Sequence, residues 1–311
     1  MKRITISPRF FAATALSVLL AVSASLTAAE EKRYKPFVLA ETVSGGDVAT
    51  VAGKVSKKLT QSGFEIVGKY NPYPNTTIIV ISSEQLRQNA AQSELGAYGA
   101  IQRVTVTKGK SGVQVSFTNP TYMSHAYRMK SDLADVTAKL GKTLGHVNTY
   151  GSEKGVSSED LRDYQYKWAM PYFTDRMELA SYSSHQKAVD KVEAKLSEKI
   201  GGVAKIYRVD LPGKDETVIG VSLPGKGYDE CSGDQYIMSR IDFKDVKSTG
   251  HLPYEMVISK GKVYGLFAEF RIAINFPDLS MIGSNSFASI MCAPGTIKSA
   301  LTKAAGGKLD E

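Results

Sequence analysis

The sequence predicts an α+β protein built from two tandem antiparallel-sheet domains, each with helices packed on one face of its sheet, and the two pseudo-two-fold related. Three observations carry this. A strand–turn–strand phrase occurs twice, as VTVTKGKSGVQVSFTNPTYM (Val104–Met123) and MVISKGKVYGLFAEFRIAINFPDLSM (Met256–Met281). The same helix and strand signals surround both phrases in the same order. The offset between matching positions only grows along the chain, as a duplicated domain with loop insertions in its second copy requires.

The first 29 residues stand apart. Lys2, Arg3 and Arg9 form a basic start, FFAATALSVLLAVSASL is apolar and uncharged, and Thr27 and Ala29 are the small residues before a cut ahead of Glu30. This is the layout of a secretory signal peptide, so residues 1–29 are expected to be removed on export and the protein to be periplasmic or secreted. No later stretch is long and apolar enough to span a bilayer. The chain carries 39 Lys+Arg and 31 Asp+Glu; without the three basic residues of the signal the balance is 36 against 31, or +5. Charges are scattered without a long basic run, which with export argues against nucleic acid as a partner and leaves anionic lipid open.

The first repeat is expected over residues 30–150. In GGDVATVAGKVSKKLTQSG, Val48, Val51, Val55 and Leu59 recur at helical spacing, with Asp47 to cap the start and Gly63 to end the helix. FEIVGKYNPYPNTTIIVIS then reads as strand, Pro/Asn turn, strand. An irregular segment leads to the hairpin around Lys108-Gly109-Lys110, and SDLADVTAKLGKTLG closes the unit as a helix.

The second repeat, 185–311, follows the same plan. Val189, Val192, Leu196 and Ile200 mark a helix between Ser184 and Gly201. GVAKIYRVDLPGKDETVIGVS is the strand pair, Lys260-Gly261-Lys262 the hairpin turn, and GTIKSALTKAAGG the last helix. The offsets run 137 (Val55 to Val192), 140 (Thr77 to Thr217), 152 (the Lys-Gly-Lys turns), 157 (Pro120 to Pro277) and 161 (Leu140 to Leu301).

These residues resemble the domain-of-unknown-function-302 family, whose members are small α+β domains with a strand pair around a short turn, then an Asp/Asn-Pro step into a helix. Asn119, Pro120 and Tyr122 occupy those positions in the first copy, after TTIIVIS and the hairpin. The second copy departs, with Phe276 between Asn275 and Pro277 and Asp278-Leu279 in place of Thr121-Tyr122. The resemblance covers Val48–Gly145 and about His185–Gly306, and implies a fold but no catalytic residue. Physically, Asn-Pro is a strand-to-helix boundary, the Asn capping free amides and the Pro suiting the first turn.

The connecting segment, 151–184, is dense in aromatics. Tyr164, Tyr166, Trp168, Tyr172 and Phe173 are unusual for a flexible linker, so the segment is expected to pack, either filling the seam between the copies or forming the wall of a ligand-binding cleft. Met123, His125 and Met129 form a second candidate group, because thioether and imidazole suit copper(I) or axial haem ligation. The ordinary alternative places the two methionines in the core and His125 at the surface. Met170, Met177, His146 and His185 lie around the connector.

Cys231 and Cys292, 61 residues apart, are the chain's cysteines, and an oxidising compartment makes a disulfide the expected state. No C-x-x-C, C-x-x-C-H, G-x-S-x-G, H-E-x-x-H, P-loop or dinucleotide fingerprint is present. Asp229, Glu230 and Asp234 read as a solvated loop. The expected function is an exported, non-catalytic binding or accessory protein with a cleft between its repeats. An enzyme of unrecognised type using His125 or His146, or a copper- or haem-handling protein, is the alternative. A small molecule or another envelope protein is the expected partner, self-association stays open, and no particular cofactor follows.

Overall fold

The structure, a computed structural model, describes residues 31–225 and 227–309. The expected signal peptide lies outside the described residues. The chain runs through β1 (Arg33–Tyr34), β2 (Phe37–Val43), α1 (Val48–Gln61), β3 (Glu65–Tyr70), β4 (Thr76–Ser82), α2 (Glu84–Ala91), β5 (Gln102–Lys108), β6 (Val113–Thr118), α3 (Pro120–Ala126), α4 (Ala134–Leu144) and β7 (Asn148–Tyr150). A connector with β8 (Val156–Ser157) and α5 (Ser158–Arg162) follows. The chain continues with β9 (Arg176–Ser181), α6 (His185–Ser197), β10 (Ala204–Asp210), β11 (Glu216–Ser222), α7 (Asp234–Ile241), β12 (Tyr254–Ser259), β13 (Lys262–Leu266), α8 (Ala268–Asn275) and α9 (Ala293–Ala305). Antiparallel sheets with helices make this an α+β fold.

The local signals act as their chemistry dictates. The Asp47 carboxylate accepts from the Thr50 amide at 2.8 Å and starts α1, which buries Val48, Val51, Val55 and Leu59; Gly63 follows it at φ +79°. Ser184 caps α6 through the Lys187 amide at 3.2 Å. Asn119 accepts from the Thr121 amide at 3.2 Å, with Pro120 in the first turn of α3.

Strand order is β3-β4-β5-β6-β2-β7 in one sheet and β10-β11-β12-β13-β9 in a second, with β1 and β8 paired apart, so five strands recur in the same sequence of neighbours. Irregularities recur too. The register slips in β3 between Ile66 and Gly68, and in β10 between Lys205 and Tyr207. It slips in β2 between Leu39 and Glu41, and opposite Val263/Tyr264 in β9 between Ala180 and Glu178. A bulge inserts one residue at a defined place in a ladder, and these fall at matching places of the two sheets.

Three features differ from the sequence reading. β9 lies inside the stretch read as connector, and pairs with β13 as β2 pairs with β6, so the second unit begins near Arg176. The segment read as irregular holds α2, capped by Ser83 through the Leu86 amide, and its counterpart α7. The Asn-Phe-Pro step is not the counterpart of Asn119-Pro120. The helix that directly follows β13 is α8, entered from Phe267, and Asn275 ends it. Pro277 therefore lies beyond a helix end, where a residue unable to continue the helix is expected.

The second copy carries two insertions. Where Ser83 alone joins β4 to α2, the segment 223–233 joins β11 to α7; where 127–133 joins α3 to α4, the segment 276–292 joins α8 to α9. The expected disulfide is present, and Cys231–Cys292 ties one insertion to the other.

The described residues from Lys32 onward belong to one compact unit, and the buried side chains of both repeats join in one core. The reason is visible in β5. Every residue from Gln102 to Thr107 is buried, although side chains alternate between faces. One face meets helices and the other meets the second repeat, so neither face is left for water.

Candidate functional site

The seam between the repeats is polar at its centre. Arg103 on β5, Glu255 on β12 and Arg271 on α8 are each buried to within 2 % of full enclosure. Arg103 Nη2 pairs with Glu255 Oε1, Arg271 Nη2 lies 3.2 Å from Glu255 Oε2, and the Tyr207 hydroxyl donates to Glu255 Oε1 at 2.9 Å. Arg271 also donates to the Pro253 carbonyl. Arg103 and Glu255 occupy matching positions, because each stands five residues before the Lys of its Lys-Gly-Lys turn. Opposite charges at one position of a repeat let the two copies face each other there, where two arginines or two glutamates would repel.

Size is exchanged in the same way. Gly68 faces Val80 across β3–β4, whereas Tyr207 faces Gly220 across β10–β11. A Cβ on Gly220 would meet the Tyr207 ring at 1.9 Å, and one on Gly68 would lie 2.7 Å from the Ile206 carbonyl oxygen. The two glycines let the Tyr207 ring reach Glu255 and let β3 approach β10. Further out, the contacts are reciprocal. The Ala97 amide of the first copy donates to Glu216 of the second at 2.9 Å, and the Thr107 hydroxyl of the first meets that of Thr249 at 3.0 Å. Tyr70 donates to Asp234 at 2.5 Å.

A recess of about 530 Å³ opens where the seam reaches the surface. The first copy supplies the β3–β4 turn, Tyr73–Thr76, and the end of β5, Thr107 and Lys108. The second supplies Gln235, Met238 and Ser239 of α7, then Asp242, Phe243 and Lys247. Phe243 is half exposed, while Met238 and Asp242 are buried at its wall. The Ser248 amide donates to Asp242 Oδ1 at 3.0 Å and Lys247 Nζ donates to the Asp242 carbonyl at 2.9 Å. Burial pushes the Asp242 carboxyl up to about 7 against that amide and the Lys247 charge. The recess thus offers two ammonium groups, a carboxyl titrating near neutrality, an exposed aromatic and several neutral donors.

Asp242 has a consequence for stability. Its ordinary value is 3.8, so between about pH 4 and 7 the folded chain holds a proton that the unfolded chain has lost. That contribution is complete below pH 4 and is lost as pH rises through 7. Asp242→Asn is expected to track the wild type at pH 4 and to melt roughly 2–4 °C higher at pH 8. The difference between the two proteins, measured by thermal unfolding at each pH, removes the opposite slope from His251, whose protonation burial disfavours.

Of the aromatic connector residues, Tyr164 and Tyr166 border one shallow depression beside residues 277–281. Phe173 is buried among Tyr98, Tyr127 and Phe270, at 5.6–6.2 Å between ring centres, so it fills the seam. Tyr164 donates to the Ala273 carbonyl at 3.3 Å and meets Phe270 edge-on; Tyr166 packs on Phe287 and donates to the Leu279 carbonyl. Tyr172 is partly buried, and Trp168 is 93 % exposed.

Met123, His125 and Met129 differ in their surroundings. Met123 and His125 stand two apart on α3, which turns them to different sides of the helix. Met123 and Met129 are buried in the core, and His125 packs against the Tyr34 ring at 5.4 Å. Desolvation and the nearby Arg162 and Lys32 lower the His125 pKa, an electrostatic setting that also disfavours a cation there. Among the other histidines, His185 Nε2 meets the Thr217 hydroxyl at 3.1 Å. His251 is buried between Tyr254 and Phe276, its Nε2 3.2 Å from the Tyr254 hydroxyl.

Of the loop read as solvated, Glu230 is exposed, the Asp229 side chain lies outside the described residues, and Asp234 is buried, held by Tyr70 and by the Leu223 amide at 3.0 Å. No sequence motif marked Asp242, Phe243 or the recess, because its lining comes from four separate segments.

Comparison of the chain with protein-family models, with curated proteins and with solved structures returns no match.

Proposed function

We propose that the chain is an exported, non-catalytic binding or accessory protein whose two domain-302-like repeats arose by duplication and pack as a fused homodimer. Its ligand site is the recess between them. One observation carries the reading: both repeats contribute walls to a single opening within roughly the 300–1,000 Å³ range of small-molecule sites. Lys108 and Lys247 outnumber Asp242, and Phe243, Met238 and Pro74 supply apolar surface. A small anion with an apolar body fits that lining. Export to the periplasm or beyond follows from the N-terminal signal, and the bonded cysteines suit an oxidising compartment.

The test uses anilinonaphthalene sulfonate, an anion with an aromatic body, as probe. Ser239 lies on the exposed face of α7 at the recess, so Ser239→Trp fills the opening without entering the core. The variant is expected to bind the probe about tenfold or more weakly while keeping the wild-type melting temperature. Equal binding by both proteins would remove the recess as the site.

A further inference from the structure

Seven large apolar side chains are exposed among the described residues, and five of them are Trp168 in the connector and Phe243, Met281, Ile282 and Met291 in the second repeat. The linings of two depressions link their neighbourhoods. Lys167, Leu279 and Met281 border one shallow depression, and Leu279, Phe243 and Lys244 border the next. The Ala288 amide donates to the Met281 carbonyl at 3.1 Å and the Met291 amide to the Ala288 carbonyl at 3.4 Å, which keeps Met291 on the same loop.

The loop itself is unusual in composition. From Leu279 to Cys292 it reads LSMIGSNSFASIMC, with no charged residue in a chain that is 23 % charged. The acid just before it is turned away. Asp278 accepts from the Ser152 hydroxyl at 3.1 Å and from the Glu153 amide at 2.6 Å. Asp245 is taken by Lys110 at 2.6 Å. Lys167 and Lys244 stand on either side of the loop.

We propose that this region docks on an anionic lipid surface, with Trp168, Ile282 and Met291 entering the headgroup region and Lys167 and Lys244 meeting lipid phosphates. An exposed apolar patch of this kind marks an interaction site. Trp favours the membrane–water boundary, and shallow apolar insertion combined with basic residues is how peripheral proteins hold anionic membranes. The +5 balance of the exported chain has the complementary sign. A second copy of the chain fits less well, because a two-fold contact would bury Lys167 and Lys244 of both copies in one interface.

Trp168 is the only tryptophan in the chain, so it reports its own environment. The test uses the chain from Glu30 onward, which contains all of the described compact unit, with vesicles of phosphatidylcholine alone or mixed with phosphatidylglycerol. The expected result is a blue shift of Trp168 emission and quenching by brominated acyl chains, on the anionic vesicles only and weakened by salt. Ile282→Asp with Met291→Asp, both at exposed positions, is expected to weaken vesicle binding about tenfold or more, and Lys167→Glu with Lys244→Glu to abolish the preference for anionic lipid. Unchanged Trp168 emission with either vesicle would overturn the proposal. So would a blue shift that follows protein concentration without vesicles and accompanies a dimer mass, which would assign the face to self-association.

Discussion

Replacing Glu255 by alanine is expected to destabilise the folded chain by about 3–5 kcal/mol, the largest effect of any single substitution at the seam. Among the described residues, Glu255 is the carboxylate paired with Arg103 and Arg271, both buried at the seam. Its removal leaves two guanidinium groups in a low-dielectric interior without a counter-charge, and also strips Tyr207 of its acceptor. Burial and the neighbouring Arg271 already push Arg103 down to about 10, so the site resists a second positive charge even with Glu255 present. Replacing all three charges together, as Arg103→Met, Glu255→Leu and Arg271→Met, is expected to cost far less than Glu255→Ala alone, because nothing charged is then left unpaired. Urea unfolding of the two variants beside the wild type measures both. A single variant no weaker than the triple one would show that the cluster is not desolvated as described.

The second large effect is expected at the disulfide. Cys231→Ser with Cys292→Ser should lower stability by about 2–4 kcal/mol, since a closed loop spanning 61 residues restrains the unfolded chain. The loss should concentrate in the second copy. The bond joins its two insertions, 223–233 and 276–292, and the first copy has nothing of comparable length to hold. Hydrogen exchange in the variant should therefore rise first around α7, α9 and the loop bearing Met281 and Met291. A uniform rise across both repeats would contradict this placement.

Much of the architecture was legible because it rests on local chemistry. Asp47, Ser184 and Asn119 cap the helices their positions announced, the Lys-Gly-Lys turns close the hairpins, and the order of helix and strand signals matches the order of strands in the two larger sheets. The missed elements had weaker local signatures. β2, with Phe37–Ala40 buried as a run, shows no alternation to mark a strand. The α2 sequence is mostly polar, with Leu86 and Ala90 alone buried. Pro277 misled because a proline marks a helix end as readily as a helix start.

The seam was hidden for a different reason. In QRVTVTK and YEMVIS, Arg103 and Glu255 alternate with apolar residues as solvent-facing strand positions do. The second repeat covers that face, so the charges are buried and must pair across the seam. A pattern read one strand at a time carries no information about what covers its polar face. The same holds for the connector, where aromatic density correctly indicated packing, yet only the fold separates buried Phe173 from exposed Trp168.

The central claim is that the recess between the repeats holds a small molecule. The most direct measurement is the native mass of the chain from Glu30 onward, purified gently after export, recorded with its ultraviolet–visible spectrum beside the Ser239→Trp variant. The expected result is a wild-type species heavier than the polypeptide, whose extra mass is lost on denaturation and is absent from the variant. The same extra mass on both proteins would contradict the recess as its site, and a bare wild-type mass that stays bare on titration with anionic aromatic compounds would contradict ligand binding itself.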